Sequence, residues 1–159
     1  ELYIPPKKGR SHVLRIIREL LEFKPQNKQT NIAEALKFLS NVMKKKAIVF
    51  MLSDFIDDNY QHNLKIASGK HDITGIRIFD KNEIEIPNLG VVQMVDQETG
   101  RSSLINTASR KIRNNYAKNY QTQVEYFKDS CKKAGAGYLD CGLDESYVKK
   151  LLGYFKQRA

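Results

Sequence analysis

The stretch that decides the fold is Ala47-Ile48-Val49-Phe50-Met51-Leu52, which leads directly into Ser53 and Asp54. Six consecutive apolar residues without alternation predict a strand that is buried on both faces, as in a parallel sheet. In open α/β sheets, ligands bind beyond the carboxyl ends of the strands. Ser53 and Asp54 therefore come where a functional site is expected.

Helical and strand patterns alternate on both sides of this stretch. Asn31, with Glu34 three residues later, resembles a capping box at the start of the preceding helix. Strands that alternate with helices indicate an α/β three-layer sandwich with a mostly parallel sheet. The predicted elements are the end of a strand at 2–4, helices at 13–23 and 32–43, a weaker helix reaching Lys70, a strand at 73–79, a hairpin of 91–95 and 102–106, a long helix at 109–134, a strand at 138–141 and a last helix capped by Asp144.

The composition is that of a globular protein. The chain has 159 residues, of which 41% are hydrophobic and 28% are charged, and this length suits one domain. No apolar run approaches the roughly 20 residues that a bilayer span requires, so no membrane span is predicted. Cys131 and Cys141 do not form a C-x-x-C pair and are predicted to be two reduced thiols in a cytoplasmic protein.

The net charge of +9 is unevenly distributed, because the first and last thirds of the chain are basic and the middle third is acidic. The one tight basic run, Lys44-Lys45-Lys46, comes at the end of a predicted helix, where it suits the negative end of the helix dipole. A basic nucleic-acid-binding domain is the alternative function that this charge leaves open. Steep salt dependence of DNA binding would identify it.

Oxygen-bearing side chains gather around the end of the apolar strand. Ser53 and Asp54 are followed by Asp57 and Asp58, and Thr30 comes from a loop on the same side of the sheet. Hydroxyl and carboxylate oxygens suit a hard cation such as Mg²⁺. An aspartate after a strand is also often a helix cap, so the spacing alone leaves both interpretations open.

The sequence makes no good case for an enzyme. It has no G-x-x-x-x-G-K-[ST] phosphate loop and no G-x-S-x-G nucleophile elbow, so a hydrolase or nucleotidase that uses Asp54 ranks last. His12, His62 and His71 share no metal-ligand spacing. Cys131 lies on the apolar face of the long predicted helix and is expected in the core.

The chain resembles the bacterial family called "domain of unknown function 58", whose members carry a von Willebrand factor A-like domain. The S-D-F element at Ser53 and the D-x-E-T-G element at 96–100 are together fairly specific. The similarity covers nearly the whole chain. The matching stretches are 3–10, 30–32 with Ala35-Leu36, 49–55, 71–73, Asp80, Glu83, Pro87, Gly90, 96–100 and 151–155.

The resemblance implies a metal-ion-dependent adhesion site that binds Mg²⁺. Such a site combines an Asp-x-Ser-x-Ser signature with a threonine, which corresponds to Thr30, and an aspartate, which corresponds to Asp54 beside Ser53. Family members are typically encoded beside MoxR-type AAA+ ATPases and are thought to help assemble or activate other proteins. The resemblance thus implies a non-enzymatic adaptor for such an ATPase and an unidentified client protein.

The sequence departs from the family pattern in its metal ligands. No aspartate is followed by serine at both the second and fourth positions, and Gln29 stands where the family commonly has glycine. We therefore interpret residues 1–159 as a partial von Willebrand A-like domain, from the end of its third strand to its C-terminus, without the N-terminal strands. Mg²⁺ is expected in the full-length parent and no cofactor is expected in this fragment.

Sheets of this family have the strand order 3-2-1-4-5-6, in which the strand at 47–52 is the fourth. Without its neighbour it becomes an open edge, and unpaired apolar edges favour association. The fragment is therefore expected to form a homodimer through this strand, about a two-fold axis.

Overall fold

A three-stranded parallel sheet forms the centre of the molecule. The computed structural model describes residues 2–24, 29–95 and 100–158. The helices are α1 (Arg10–Glu22), α2 (Ile32–Val42), α3 (Gln61–Lys70), α4 (Arg110–Ala134) and α5 (Tyr147–Arg158). The strands are β1 (Ile48–Ser53), β2 (Asp72–Phe79), β3 (Val91–Val95), β4 (Ser102–Asn106) and β5 (Gly137–Gly142), and the parallel sheet has the order β1-β2-β5.

Helices cover both faces of this sheet. On one face α2, α3 and α4 enclose the main core, which includes Leu36, Leu64, Ile73 and Phe127. On the other face α5 packs against the sheet, because Phe155 meets Phe50 edge to face with ring centroids 5.9 Å apart. The predicted α/β three-layer sandwich with a mostly parallel sheet is therefore confirmed.

The predicted hairpin is present as an insertion between β2 and α4. β3 and β4 pair antiparallel, with Val91 opposite Asn106 and Val95 opposite Ser102. Thr107 anchors its base, since its Oγ1 accepts a hydrogen bond from the Leu89 N–H and donates one to the Gly90 carbonyl. The part of the D-x-E-T-G element at 96–99 lies outside the described residues.

Two sequence predictions about local structure are wrong. Residues 2–4 form no strand in the described chain, where Leu2 and Tyr3 are exposed. Asp144 does not cap α5, because its carboxylate pairs with Lys81 Nζ at 2.6 Å, while the Ser146 carbonyl accepts from the Lys150 N–H. Asp144 and Ser146 are both polar and close in sequence, so the spacing could not indicate which of them caps α5.

The prediction that the apolar strand is buried on both faces is also wrong. Val49 and Met51 pack against the core, but Ile48, Phe50 and Leu52 on the opposite face are 69%, 42% and 65% exposed. α5 covers this face only in part. β1 has β2 as its one neighbour among the described strands, so the predicted open edge is present.

The first helix contributes nothing to the core. None of the residues of α1 is buried, and its apolar side chains, including Leu20 and Leu21, are exposed. The helix nevertheless has the predicted amphipathic pattern, and its C-terminal cap is Phe23 as expected. Its apolar face is therefore an unpartnered surface in the described chain.

Cys131 and Cys141 are free thiols in buried positions, so the prediction that they are not bridged is confirmed. Across the three described ranges, no helix is long and apolar enough to cross a bilayer.

Candidate functional site

A strained turn follows β1 at the carboxyl edge of the sheet. Ser53 is the last residue of the strand, Asp54 is exposed, and Phe55 adopts a left-handed backbone conformation with φ 57°. A bulky residue in this region costs about 1–3 kcal/mol and persists where the surrounding structure holds it. Such strain is common at functional loops, and it makes this turn a candidate functional site.

Core packing holds Phe55 in this conformation. Its side chain is only 2% exposed and stacks on Phe127 of α4, with ring centroids 4.2 Å apart. Phe127 in turn lies directly on β2, because Gly75 has no side chain there. A Cβ at Gly75 would lie 2.8 Å from Phe127 Cε2. Because Gly75 has no side chain, Phe127 can pack between the sheet and Phe55. This packing supports the turn that presents Asp54.

Hydrogen bonds within the turn fix the Asp54 carboxylate. Its Oδ1 accepts from the Ser53 hydroxyl at 3.2 Å and from the Ile56 N–H at 3.2 Å. Ser53 Oγ also accepts from the Phe55 N–H at 3.0 Å. Asp54 takes part in none of the ion pairs formed among the described residues. The turn therefore holds an exposed carboxylate in place without neutralising its charge.

Thr30 and Ser53 line the same cavity, between the start of α2 and the end of β1. The cavity has a volume of about 350 Å³, and Asn31 and Leu52 also line it. Asn31 begins α2, since its side chain accepts from the Glu34 N–H, as the sequence predicted. The structure thus brings Thr30 and Ser53 to one cavity, and Asp54 joins them through the Ser53 hydroxyl.

Asp57 has a structural role rather than a free carboxylate. Its Oδ2 accepts from the Ile32 N–H at 2.7 Å, and its Oδ1 accepts from the Asp58 N–H at 2.7 Å. The first bond satisfies an N–H at the start of α2, where the helix dipole favours a negative charge. The sequence left two roles open for an aspartate in this loop, metal ligand or helix cap. Asp57 acts as a helix cap. The bond also ties the Asp54 loop to the helix that follows Thr30.

Thr30, Ser53 and Asp54 would give Mg²⁺ only the minimum of charged protein ligands. Octahedral Mg²⁺ is usually held by one or two carboxylates and several waters. Thr30, Ser53 and Asp54 supply two hydroxyls and one carboxylate, and one oxygen of Asp54 already accepts two hydrogen bonds. Within the described ranges, no three His, Cys, Asp or Glu side chains are grouped so that they could hold a metal ion.

An ionic cluster around the buried Arg77 joins the neighbouring strands to α4, and the sequence reasoning missed it. Arg77 is 6% exposed, and its Nε donates to Asp140 Oδ1 at 2.7 Å while Nη1 donates to the Tyr120 hydroxyl at 2.9 Å. Lys128 Nζ lies 2.8 Å from the other Asp140 oxygen. Burial acts to raise the pKa of Asp140, but its bonds to Lys128 and Arg77 outweigh that and hold the pKa below its usual value.

A signal for this cluster was present in the sequence. Arg77 interrupts the apolar run of β2, and buried charges are almost always paired. The register places Ser53, Arg77 and Asp140 side by side across the three strands. The cluster therefore lies beside the Ser53–Asp54 turn and stiffens the same end of the sheet.

Other reactive side chains lie away from this edge. His71 is buried at the amino end of β2, where it lines a separate cavity with Lys46 and Ser68. Burial raises the pKa of the Cys131 thiol to about 12, so this thiol is protonated at neutral pH. The described geometry thus brings no histidine or thiolate to Asp54.

Comparison with known proteins gives one family and several distant relatives. Residues 1–126 match the family described as "Protein of unknown function DUF58". An uncharacterized protein of Mycobacterium avium is 22% identical over 98% of this chain and 93% of its own length. An uncharacterized protein of Mycobacterium tuberculosis is 21% identical, again over 98% of this chain, and the chain spans half the length of that relative.

One solved structure is also similar. The crystal structure of the conserved hypothetical protein BatB from Bacteroides thetaiotaomicron aligns with a TM-score of 0.47 and 12% identity. The alignment covers 91% of this chain and 67% of that chain.

Proposed function

The chain belongs to the protein family of unknown function DUF58, and on that premise we propose that it is a non-enzymatic protein-interaction module with its binding edge at Asp54. The observation that carries the proposal is the left-handed Phe55, buried against Phe127, which holds an exposed carboxylate at the carboxyl edge of the sheet. A rigid acidic group in this position suits a cationic partner group.

The proposed partner follows from the resemblance to the DUF58 family. It is a MoxR-type AAA+ ATPase, and the module acts as an adaptor between this ATPase and a client protein. The rigid turn supports this role, because preorganised polar groups lose little conformational freedom on binding. The bond between the buried Arg77 and the half-buried Asp140, next to the turn, adds to this rigidity.

We propose Mg²⁺ binding only for a larger domain that contains residues 1–159. Thr30, Ser53 and Asp54 would contribute part of a metal-ion-dependent adhesion site, and further ligands would have to come from outside the described residues. We accordingly propose residues 1–159 as part of a von Willebrand A-like domain whose complete form binds Mg²⁺. The unpartnered apolar faces of α1 and β1 support this view, since both offer surface for further structure.

In the part of the chain that the structure describes, no histidine or cysteine lies beside Asp54, which supports a non-enzymatic role. Histidine is the most frequent general acid or base, and the cysteine thiolate is a frequent nucleophile. Cys131 is buried in the core, and His71 lies at the other end of the sheet among the described residues.

A binding measurement with the MoxR-type ATPase of the same organism tests the proposal. We expect the purified chain to bind it in biolayer interferometry, and Asp54→Asn to weaken that binding about tenfold, which corresponds to ~1.4 kcal/mol. Asp129→Asn is the matched control, because Asp129 is an exposed carboxylate on α4 with only a long contact of 3.9 Å to Lys132. Failure of the wild-type chain to bind, or equal losses in both variants, would contradict the proposal.

A further inference from the structure

The first half of α4 presents an exposed face that contains no carboxylate. Arg110, Lys111 and Lys118 are exposed, and none of them takes part in an ion pair among the described residues. The other exposed side chains in this half carry amides or a hydroxyl and belong to Asn114, Asn115, Asn119, Gln121 and Thr122. We call this set of residues the basic face. It extends over about 18 Å of the helix.

The basic face differs from an ordinary solvated helix face. Solvated helices gain stability from opposite charges three or four residues apart and from strong helix formers. The second half of α4 has such a pair, since Lys132 lies 3.9 Å from Asp129. The basic face has no acidic residue among its members, and half of its positions hold the weak helix formers Asn and Thr. The stability of the helix therefore does not account for this composition.

The cations also lie at the wrong end of the helix for its stability. Arg110 and Lys111 are in the first turn of α4, which contains no acidic residue. The Ser109 side chain makes no capping hydrogen bond within the described chain. Because the helix dipole makes this end positive, cations destabilise it and an anion stabilises it. A polyanion bound along the basic face would remove this unfavourable arrangement of charge.

We propose that the basic face of α4 binds the phosphate backbone of double-stranded DNA. Proteins contact phosphate oxygens with Arg and Lys and with Ser, Thr, Asn and Gln side chains, and these types make up the whole face. The net charge of +9 adds a long-range attraction to a polyanion. Phosphate contacts carry no direct sequence information, so the binding is not sequence-specific.

The composition of the face favours duplex DNA over other acidic partners. Protein interfaces bury aromatic or apolar side chains at their centre, and helices that lie on membranes insert apolar side chains. In the described chain, none of the exposed large apolar residues lies on α4. Single-stranded nucleic acids are held by aromatic residues on which their bases stack. The aromatic residues of α4 are buried or half-buried, and the Tyr120 hydroxyl is bonded to Arg77.

The basic face lies away from the open edge of β1. The sheet order is β1-β2-β5, and α4 links β2 to β5. The helix packs against α3 and β5, and α3 in turn packs against α2. Any strand added beside β1 would extend the sheet in the direction away from β5. The proposal therefore does not depend on that edge being open.

Fluorescence anisotropy of a labelled duplex of about 20 base pairs, mixed with the 159-residue chain, tests the proposal. We expect binding at about 50 mM KCl, and a logarithmic salt dependence with a slope of about −3, because three cations would each neutralise one phosphate. The variant Arg110→Gln/Lys111→Gln/Lys118→Gln should weaken binding by about tenfold or more and bring the slope close to zero.

The matched control is Lys44→Gln/Lys45→Gln/Lys46→Gln, which removes the same charge from exposed lysines outside α4. This variant should keep most of the affinity and the salt slope. A wild-type chain that does not bind the duplex at about 50 mM KCl, or equal losses in the two triple variants, would overturn the proposal. Far-UV circular dichroism checks that both variants fold.

Two further probes separate duplex DNA from other anions. One is a single-stranded oligonucleotide of the same length, and the other is a phosphatidylcholine vesicle with about 30% phosphatidylserine. We expect both to bind more weakly than the duplex at the same salt concentration. If either binds as tightly as the duplex, and the α4 variant abolishes that binding, the face belongs to that anion and the proposal is overturned.

The inference goes beyond the proposed ATPase partner, and the two can fail separately. The α4 variant leaves Asp54 and its turn unchanged, so it should bind the ATPase as the wild-type chain does. A wild-type chain that binds the ATPase but not the duplex would contradict only the DNA-binding face. A chain that binds the duplex but not the ATPase would contradict only the proposed function.

Discussion

The ring of Phe55 stacks on the ring of Phe127 with centroids 4.2 Å apart, and this contact joins the turn after β1 to the middle of α4. Phe127 is fully buried, and it reaches the sheet at the position of Gly75. The presentation of Asp54 therefore depends on packing between three segments that are far apart in the sequence.

We expect Gly75→Ala to lower the free energy of unfolding by about 1–3 kcal/mol, because overpacking a core displaces its side chains. The new Cβ would lie 2.8 Å from Phe127 Cε2 and 3.1 Å from Phe55 Cζ. Gly69→Ala is the control, since nothing lies within 4 Å of a Cβ there and alanine favours a helix by up to ~1 kcal/mol. Urea denaturation measures both variants. Equal stability of Gly75→Ala and the wild type would contradict the packing described.

Asp57→Ala should destabilise the fold by about 1 kcal/mol, because α2 loses the carboxylate that accepts from its first N–H. Asp58→Ala removes an exposed carboxylate three residues before the start of α3 and should change stability by less than ~0.5 kcal/mol. Thermal unfolding followed by circular dichroism compares the two variants. If they destabilise the protein equally, the carboxylate of Asp57 is not an effective cap.

The stability of the protein should fall as the pH drops below neutral because of His71. Burial, with a smaller contribution from the Lys70 charge, lowers the pKa of His71 below its ordinary value of 6.5. Neither ring nitrogen has a hydrogen-bond partner among the described residues. The unfolded chain therefore takes up a proton first, so stability is highest above pH 6.5 and decreases as the pH falls towards the lower pKa of the folded state.

Urea denaturation between about pH 5.5 and 7.5 measures this dependence, in a range where carboxylates hardly titrate. His71→Gln should reduce the slope of the unfolding free energy against pH, whatever its effect on stability itself. An unchanged slope in this variant would assign the pH dependence to other groups.

Asp140→Asn should destabilise the protein by about 3 kcal/mol, because the Arg77 guanidinium would remain buried without its carboxylate. Asp144→Asn breaks an ion pair with Lys81 in which both side chains are more than half exposed, and it should cost less than ~1 kcal/mol. The difference between the two variants in denaturant unfolding is the measurement. Similar losses would mean that the buried cluster contributes no more than a surface ion pair.

Isothermal titration with MgCl₂ should detect no binding tighter than about 1 mM to the 159-residue chain. The physical reason is that Thr30, Ser53 and Asp54 provide a single carboxylate, whose Oδ1 already accepts two hydrogen bonds. Asp54→Asn serves as the control for any weak signal. Tight binding that this variant abolishes would show that the described ligands are sufficient.

The sequence predicted the elements of the fold well, because their signals are local. The run at 47–52, the capping residue Asn31 and the apolar spacing along α4 each depend on residues close in sequence. It could not predict that Ile48 and Leu52 are exposed, because an apolar run does not specify what covers it.

For the site, the sequence predicted the residue types but not their contacts. Thr30 and Ser53 line one cavity, and Asp54 is connected to it by its hydrogen bond with the Ser53 hydroxyl. The left-handed Phe55 and the pairing of Arg77 with Asp140 depend on segments brought together only by folding. No local pattern encodes such contacts.

The exposed α1 has a consequence for local stability. A helix of 13 residues is marginal in water when nothing packs on it, and none of its residues is buried. Its opening is therefore not coupled to the unfolding of the sheet, and its amide hydrogens should exchange with solvent far faster than those of β2. Any molecule that covers Leu20 and Leu21 would slow that exchange, so α1 can report binding at its own surface while the core stays unchanged.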